Sequence, residues 1–195
     1  MKELSLNILD IAENSVKAEA TLTEITIDET DSTLTIKIKD DGCGMTEETV
    51  KTVTNPFYTT RTTRNVGLGI PLLILSAEQT GGYVTITSKK ADENDPSHGT
   101  CVVAHYNKNH IDFTPLGDVI STVTTLIQGH PDTDFLFIHR KGGEEVNLDT
   151  RAVKEVLEGL PIDTFEVLIW IKESLTEQYE NFKNKINVSQ ERKNK

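Results

Sequence analysis

The stretch DDGCGM, Asp40–Met45, decides how this chain is read. It follows TLTIKIK, Thr33–Lys39, where Thr, Ile and Lys alternate with the period of a strand. It precedes TEETVKTV, which reads as a short helix from Thr46 to Thr54. A tight turn needs one glycine. It does not need Gly42 and Gly44 around a small Cys43, beside an acid fixed at a strand end. That grouping predicts a ligand that comes close to the backbone, with Asp40 at its edge.

Working outward, residues 3–18 have helical apolar spacing through Leu4, Ile8, Ile11, Ala12 and Val16. Asn7, Asp10, Asn14 and Lys17 fall at i, i+3, i+7 and i+10 and share the opposite, polar face. Thr21–Asp28 alternates at period two and reads as the strand partner of Thr33–Lys39. On the other side, Asn55–Asn65 is a polar loop rich in Thr and Arg. Leu68–Gln79 is apolar and helical, with Pro71 in the first turn where proline is tolerated, and Gly81-Gly82 stops it. YVTITSK and GTCVVAHY read as two further strands.

Past Asn107 the pattern changes to a helix over Pro115–Ile127 and a hairpin of Phe135–Arg140 with Glu144–Leu148. A helix capped by Asp149 or Thr150 follows, then a last helix over Thr164–Phe182. The reading is therefore a main unit at 1–108, a separate small α+β unit at 109–182 with no motif of its own, and a basic, frayed tail at 183–195.

Composition narrows the classes. Hydrophobic residues make up 36% and mean hydropathy is -0.36, as in a soluble globular protein. No apolar run approaches the roughly 20 residues that span a bilayer, and the N-terminus carries acids within its apolar pattern, so a cytoplasmic protein without membrane contact is expected. Net charge is -11, split as -6 over 1–108, -9 over 109–182 and +4 over 183–195. The body has no basic block, which argues against nucleic acid as a partner. Cys43 and Cys101 form no CxxC, so neither a disulfide framework nor a zinc site is expected.

The polar helix face, the glycine turn after a strand, and NVGLGIP opening a helix come in a fixed order. With that order the chain resembles the GHKL ATP-binding superfamily, the Bergerat fold of gyrase-type topoisomerases, heat-shock chaperones, histidine kinases and MutL proteins. LDIAENSVKA is similar to the family's helical Asn motif, DDGCG to its DxGxG, PFYTTR and GLGI to a histidine-kinase lid and second glycine motif, and GGYVTITSK with HGT to its closing strands. The resemblance covers about residues 4–107. It implies an α+β fold, a two-layer α/β sandwich, and ATP with Mg²⁺ as the bound cofactors.

The resemblance also implies roles. Asp40 would accept from the adenine amino group, with Gly42 and Gly44 letting the backbone pass close to base and sugar. Asn14 would be the Mg²⁺ ligand, and Lys17, one turn on, would meet phosphate charge. Gly67, Leu68 and Gly69 would offer N–H groups to phosphate at a helix N-terminus. Arg61 and Arg64 would close over the phosphates, and Thr100 would complete the floor. In the hydrolysing families the water-activating carboxylate stands four residues before the Asn, which is Asp10 here, one methylene shorter than their usual Glu. Glu13 is the alternative base.

Lys17 and PFYTTR lean towards the kinases, AENS towards MutL. The whole chain resembles small stand-alone kinase-like ATPases of anaerobic bacteria. None of His98, His105, His110, His130 or His139 is followed by an acid, as a kinase phosphoacceptor would be. Three readings follow: phosphate transfer from ATP to a separate partner protein, a slow ATPase whose lid gates a partner, and an ATP-sensing module without turnover.

Overall fold

The computed structural model describes residues 3–54, 68–92 and 97–193, with side chains to Ile186. The elements are α1 Leu4–Lys17, β1 Leu22–Glu29, β2 Thr33–Asp40, α2 Glu47–Val53, α3 Gly69–Glu78, β3 Tyr83–Lys89 and β4 Gly99–Asn107. They continue with α4 Val119–Gly129, β5 Asp134–Lys141, β6 Glu144–Asp149, α5 Thr150–Val156 and α6 Phe165–Lys193. No described helix is long and apolar enough to cross a membrane.

The strands form one six-stranded sheet in the order β3-β4-β2-β1-β5-β6. All pairs are antiparallel except β1 with β5. Alternation makes the sheet one-sided. Ile25 and Ile27 of β1 stand opposite Ile38 and Ile36 of β2, all buried, while Thr26, Lys37 and Lys39 point to the other face. Helices α1, α3, α4 and α6 cover the apolar face in a single core that runs from Leu4 to Phe182. The result is the two-layer α+β sandwich expected from the sequence.

The division at residue 108 differs from expectation. Instead of forming a sheet of their own, β5 and β6 extend the first one through the parallel β1–β5 ladder, Leu22 against Asp134 to Glu29 against Lys141. Helix α4 buries Val119, Val123, Leu126 and Ile127 in the shared core and packs on α1. The physical reason lies at the start of α1, whose first N–H groups have no partner within the helix. Leu4 N–H donates to Pro115 O at 3.0 Å and Ser5 N–H to Leu116 O at 2.8 Å, so the segment after β4 completes that helix end.

The tail differs too. Helix α6 continues through Lys193, where Lys, Glu, Gln and Arg are good helix formers. Phe182 is buried and Ile186 packs against the core, which anchors the extension.

Candidate functional site

The turn after β2 is held from all sides. Asp40 Oδ1 accepts the backbone N–H of Gly42 and of Thr100, each at 3.0 Å. Its Oδ2 accepts from Ser15 Oγ at 2.9 Å. Asp41 turns the other way and accepts from Thr21 N–H at 2.8 Å, Leu22 N–H at 2.9 Å and the Thr21 hydroxyl. Burial alone would raise the Asp41 carboxyl, but these donors outweigh it and hold it below the usual range. Of the two acids in DDGCGM, Asp41 is a structural clamp on the start of β1 and Asp40 faces a cavity.

That cavity measures about 310 Å³. Asn14, Lys17, Asp40, Gly44 and Thr100 line it, so five of the expected site residues converge. Its apolar walls come from Ile11 of α1, Ile38 of β2, Met45 just before α2, Val53 at the end of α2, Ile70 of α3 and Val102 of β4. The form is an apolar slot with one fixed carboxylate and, on α1, an amide and an ammonium.

The glycines are required by the packing of the chain itself. A Cβ on Gly42 would lie 2.7 Å from Ala18 O, and one on Gly44 would lie 1.9 Å from Lys89 O. The close approach is made by the chain itself, which packs the turn between the end of α1 and the end of β3. Gly44 also has φ +64°, a left-handed conformation that favours glycine. Gly69 opens α3 against α1, where an added Cβ would sit 3.1 Å from Asp10 Cβ.

The remaining expected residues divide. Asp10 is exposed and lies outside the lining, but it shares the Asn14 face of α1 and abuts Gly69. Glu13 turns away from the cavity, its Oε1 2.8 Å from His130 Nε2. Leu68 caps α3, is 58% exposed and does not line the cavity. Arg61, Arg64 and Gly67 lie outside the described residues.

Sequence reasoning missed three positions. Ser15 is buried and orients Asp40. His98 Nδ1 donates to Gly42 O at 2.6 Å and closes the turn from the β4 side. Ser88 accepts from Met45 N–H at 2.8 Å and shares a 2.8 Å hydrogen bond with Thr100 Oγ1. A serine beside Asn14 and a histidine in a polar loop carry no signal of their own; the packing of α1 on the sheet brings Ser15 to the turn, and the register of β2, β3 and β4 brings Ser88 and His98.

A divalent cation has a limited donor set here. Among the described residues no group of three His, Cys, Asp or Glu side chains could hold one. Asn14 supplies one oxygen, which fits Mg²⁺, an ion that takes few protein ligands and completes its shell with phosphate and water.

Comparison with solved structures agrees on the fold. The N-terminal domain of a DNA repair protein superposes with a TM-score of 0.53 at 15% identity, covering 76% of this chain and 53% of that one. The MutL ATPase domain of Aquifex aeolicus complexed with ADP gives 0.52 at 18%, covering 81% and 70%. A point variant of that MutL domain gives 0.50 at 16%, covering 81% and 68%. The chain thus spans about half the length of the first of these structures. No curated protein matches the sequence. The model of the family described as histidine kinase-, DNA gyrase B- and HSP90-like ATPase matches residues 2–110, more than half of the chain. With the sheet, the Asp40 turn and the α1 face in place, the chain belongs to that ATPase family.

Proposed function

We propose that this chain binds ATP with Mg²⁺ in the Asp40 cavity and passes the terminal phosphoryl group to a separate protein partner. The observation that carries the reading is Asp40. Two backbone N–H groups and one hydroxyl occupy three of its acceptor sites, and a carboxylate offers about four. One acceptor is left at the edge of an apolar slot. Adenine is the complement: flat apolar faces and an amino donor at its rim. A guanine would bring its carbonyl oxygen against the carboxylate.

Beyond the base, Asn14 and Lys17 line the α1 side. The N–H groups at the start of the ten-residue helix α3 favour anions. Asn14 would hold Mg²⁺ and Lys17 would meet phosphate. Bound Mg²⁺ would neutralise charge that accumulates on the phosphates. The acceptor is assigned to a partner because no histidine of the chain is followed by an acid, as a kinase phosphoacceptor would be, and none of the five lines the Asp40 cavity.

The Asp10–Asn14 face against Gly69 favours a second reading, slow hydrolysis with Asp10 as the base for water. Incubation with γ-labelled ATP and cell extract separates the two. Label on a protein supports transfer; free phosphate from the purified chain alone supports hydrolysis. Absence of both, with ATP bound, would leave a sensor and overturn the transfer reading.

A further inference from the structure

A second cavity, of about 600 Å³, opens at the other end of the sheet. On the β1–β2 ladder Thr23 stands opposite Asp40 and Glu29 opposite Leu34. Glu29 is therefore six residues along β1, roughly 20 Å at ~3.3 Å per residue, from the nucleotide-site end. Leu116, Val119 and Ile120 form one apolar wall at the entry to α4, and Phe182 and Ile186 of α6 form the other.

The inner end is a polar network, half-buried at Glu29, Lys108 and Lys141 and buried at His139. Glu29 Oε1 accepts from Lys108 Nζ and Lys141 Nζ, each at 2.7 Å. Its Oε2 lies 3.2 Å from His139 Nε2, and His139 Nδ1 lies 2.9 Å from the Tyr179 hydroxyl. His139 is only 3% exposed. Burial would raise the Glu29 carboxyl, but His139, Lys108 and Lys141 outweigh it and hold it well below the usual range. Burial pushes the Tyr179 hydroxyl up, and the Glu29 charge adds to that, so it stays an O–H donor.

On the lining Lys141 and Lys183 stand against Glu29 and Asp118, and Lys108 adds a third ammonium, at Glu29, from behind the wall. The Asp118 carboxylate keeps its charge but is turned to the cap of α4, accepting from Ser121 N–H at 2.9 Å and Ser121 Oγ at 2.6 Å. Lys183 stands exposed on the lining and makes no ion pair with a described residue. An apolar chamber with a cationic end is left, of a size in the range of small-molecule sites.

We propose that this cavity binds a small amphipathic anion, an apolar body bearing one carboxylate, with the carboxylate meeting Lys141 and Lys183. The reading is independent of the nucleotide site.

The test is an amide-resolved NMR titration of the full chain, without nucleotide, using sodium octanoate below its micelle concentration. Saturable shifts are expected at residues 116–120, 139–141 and 179–186, with residues 42–44 unmoved. Octylammonium should bind at least about tenfold more weakly. Lys183→Glu, at an exposed position, should weaken octanoate roughly tenfold, since it removes one partly exposed ion pair and adds a repulsion. Ile120→Trp should fill the chamber and abolish binding; if that variant does not fold, Lys183→Glu decides alone. No saturable binding, shifts centred on the Asp40 cavity, equal binding of octylammonium, or unchanged octanoate affinity in Lys183→Glu would each overturn the proposal.

Discussion

Ser15 Oγ donates to Asp40 Oδ2 at 2.9 Å, joining the last turn of α1 to the end of β2. Asp40 therefore enters the cavity with its orientation already fixed. Asp40→Ala should weaken ATP binding at least roughly tenfold, since a hydrogen bond to a charged acceptor is worth about 1.5–3 kcal/mol. It should also destabilise the fold by about 1–3 kcal/mol, because the N–H groups of Gly42 and Thr100 lose their acceptor. Ser15→Ala removes one buried bond and should cost about 1 kcal/mol with only a few-fold loss of ATP affinity. Calorimetry beside urea unfolding reads both. Unchanged ATP affinity in a folded Asp40→Ala protein would exclude this cavity as the base pocket.

Gly44 and Gly81 separate two costs of replacing glycine. Both have left-handed φ, +64° and +73°. A Cβ on Gly44 meets Lys89 O at 1.9 Å, whereas one on Gly81 meets nothing within 4 Å. Gly81→Ala should lose about 1–2 kcal/mol, the backbone term alone. Gly44→Ala should lose distinctly more and weaken nucleotide binding, because the turn must leave the end of β3. Equal unfolding midpoints for the two variants would show that the turn yields without cost.

Much of the cavity was legible because its residues sit in short motifs whose spacing is local. Asn14 and Lys17 follow from one helix face, and Asp40 from one strand end. Ser15, Ser88 and His98 were not legible, because the role of Ser15 depends on how α1 packs on the sheet and those of Ser88 and His98 on pairing between β2, β3 and β4. The packing around the glycines was not legible for a like cause: Lys89 and Ala18 are distant in sequence, and nothing local announces that they fill the space beside Gly44 and Gly42. The parallel β1–β5 ladder joins strands more than a hundred residues apart, and alternation alone names no partner. A helix over Pro115–Ile127 was visible, but not that it would pack on α1.

Glu29 sets a pH dependence. Its carboxyl is held below its ordinary value of 4.5 in the folded chain. The folded value lies beneath the unfolded one, so the stability it contributes is complete above about pH 5 and drains as pH falls through and below 4.5. Urea midpoints should fall over that acid window. Glu29→Gln should flatten the fall and, near neutral pH, cost about 3 kcal/mol, as when one side of a buried ion pair is removed. Lys108 and Lys141 keep some water, which places the loss at the low end of that range. An acid limb as steep in the variant as in the parent would assign it to other carboxylates.

Asp10 and Asn14 test what the site does with ATP. Asp10 is exposed, outside the cavity lining, yet on the Asn14 face against Gly69. As a general base it would act on water or an incoming nucleophile, not on the nucleotide. Asp10→Asn should then keep ATP affinity near the parent and lower turnover by about 10²–10⁴. Asp10→Glu should restore the longer reach and raise hydrolysis. Asn14→Ala removes an oxygen ligand for Mg²⁺ and should weaken binding and turnover together, most clearly when the ATP titration is repeated with and without Mg²⁺. The measurement is phosphate release from the purified chain beside transfer to protein in extract. If Asp10→Asn releases and transfers phosphate at the parent rate, Asp10 is a polar neighbour of Asn14 and no base. The partner's own nucleophile must then be reactive without help from α1, which would favour transfer over hydrolysis.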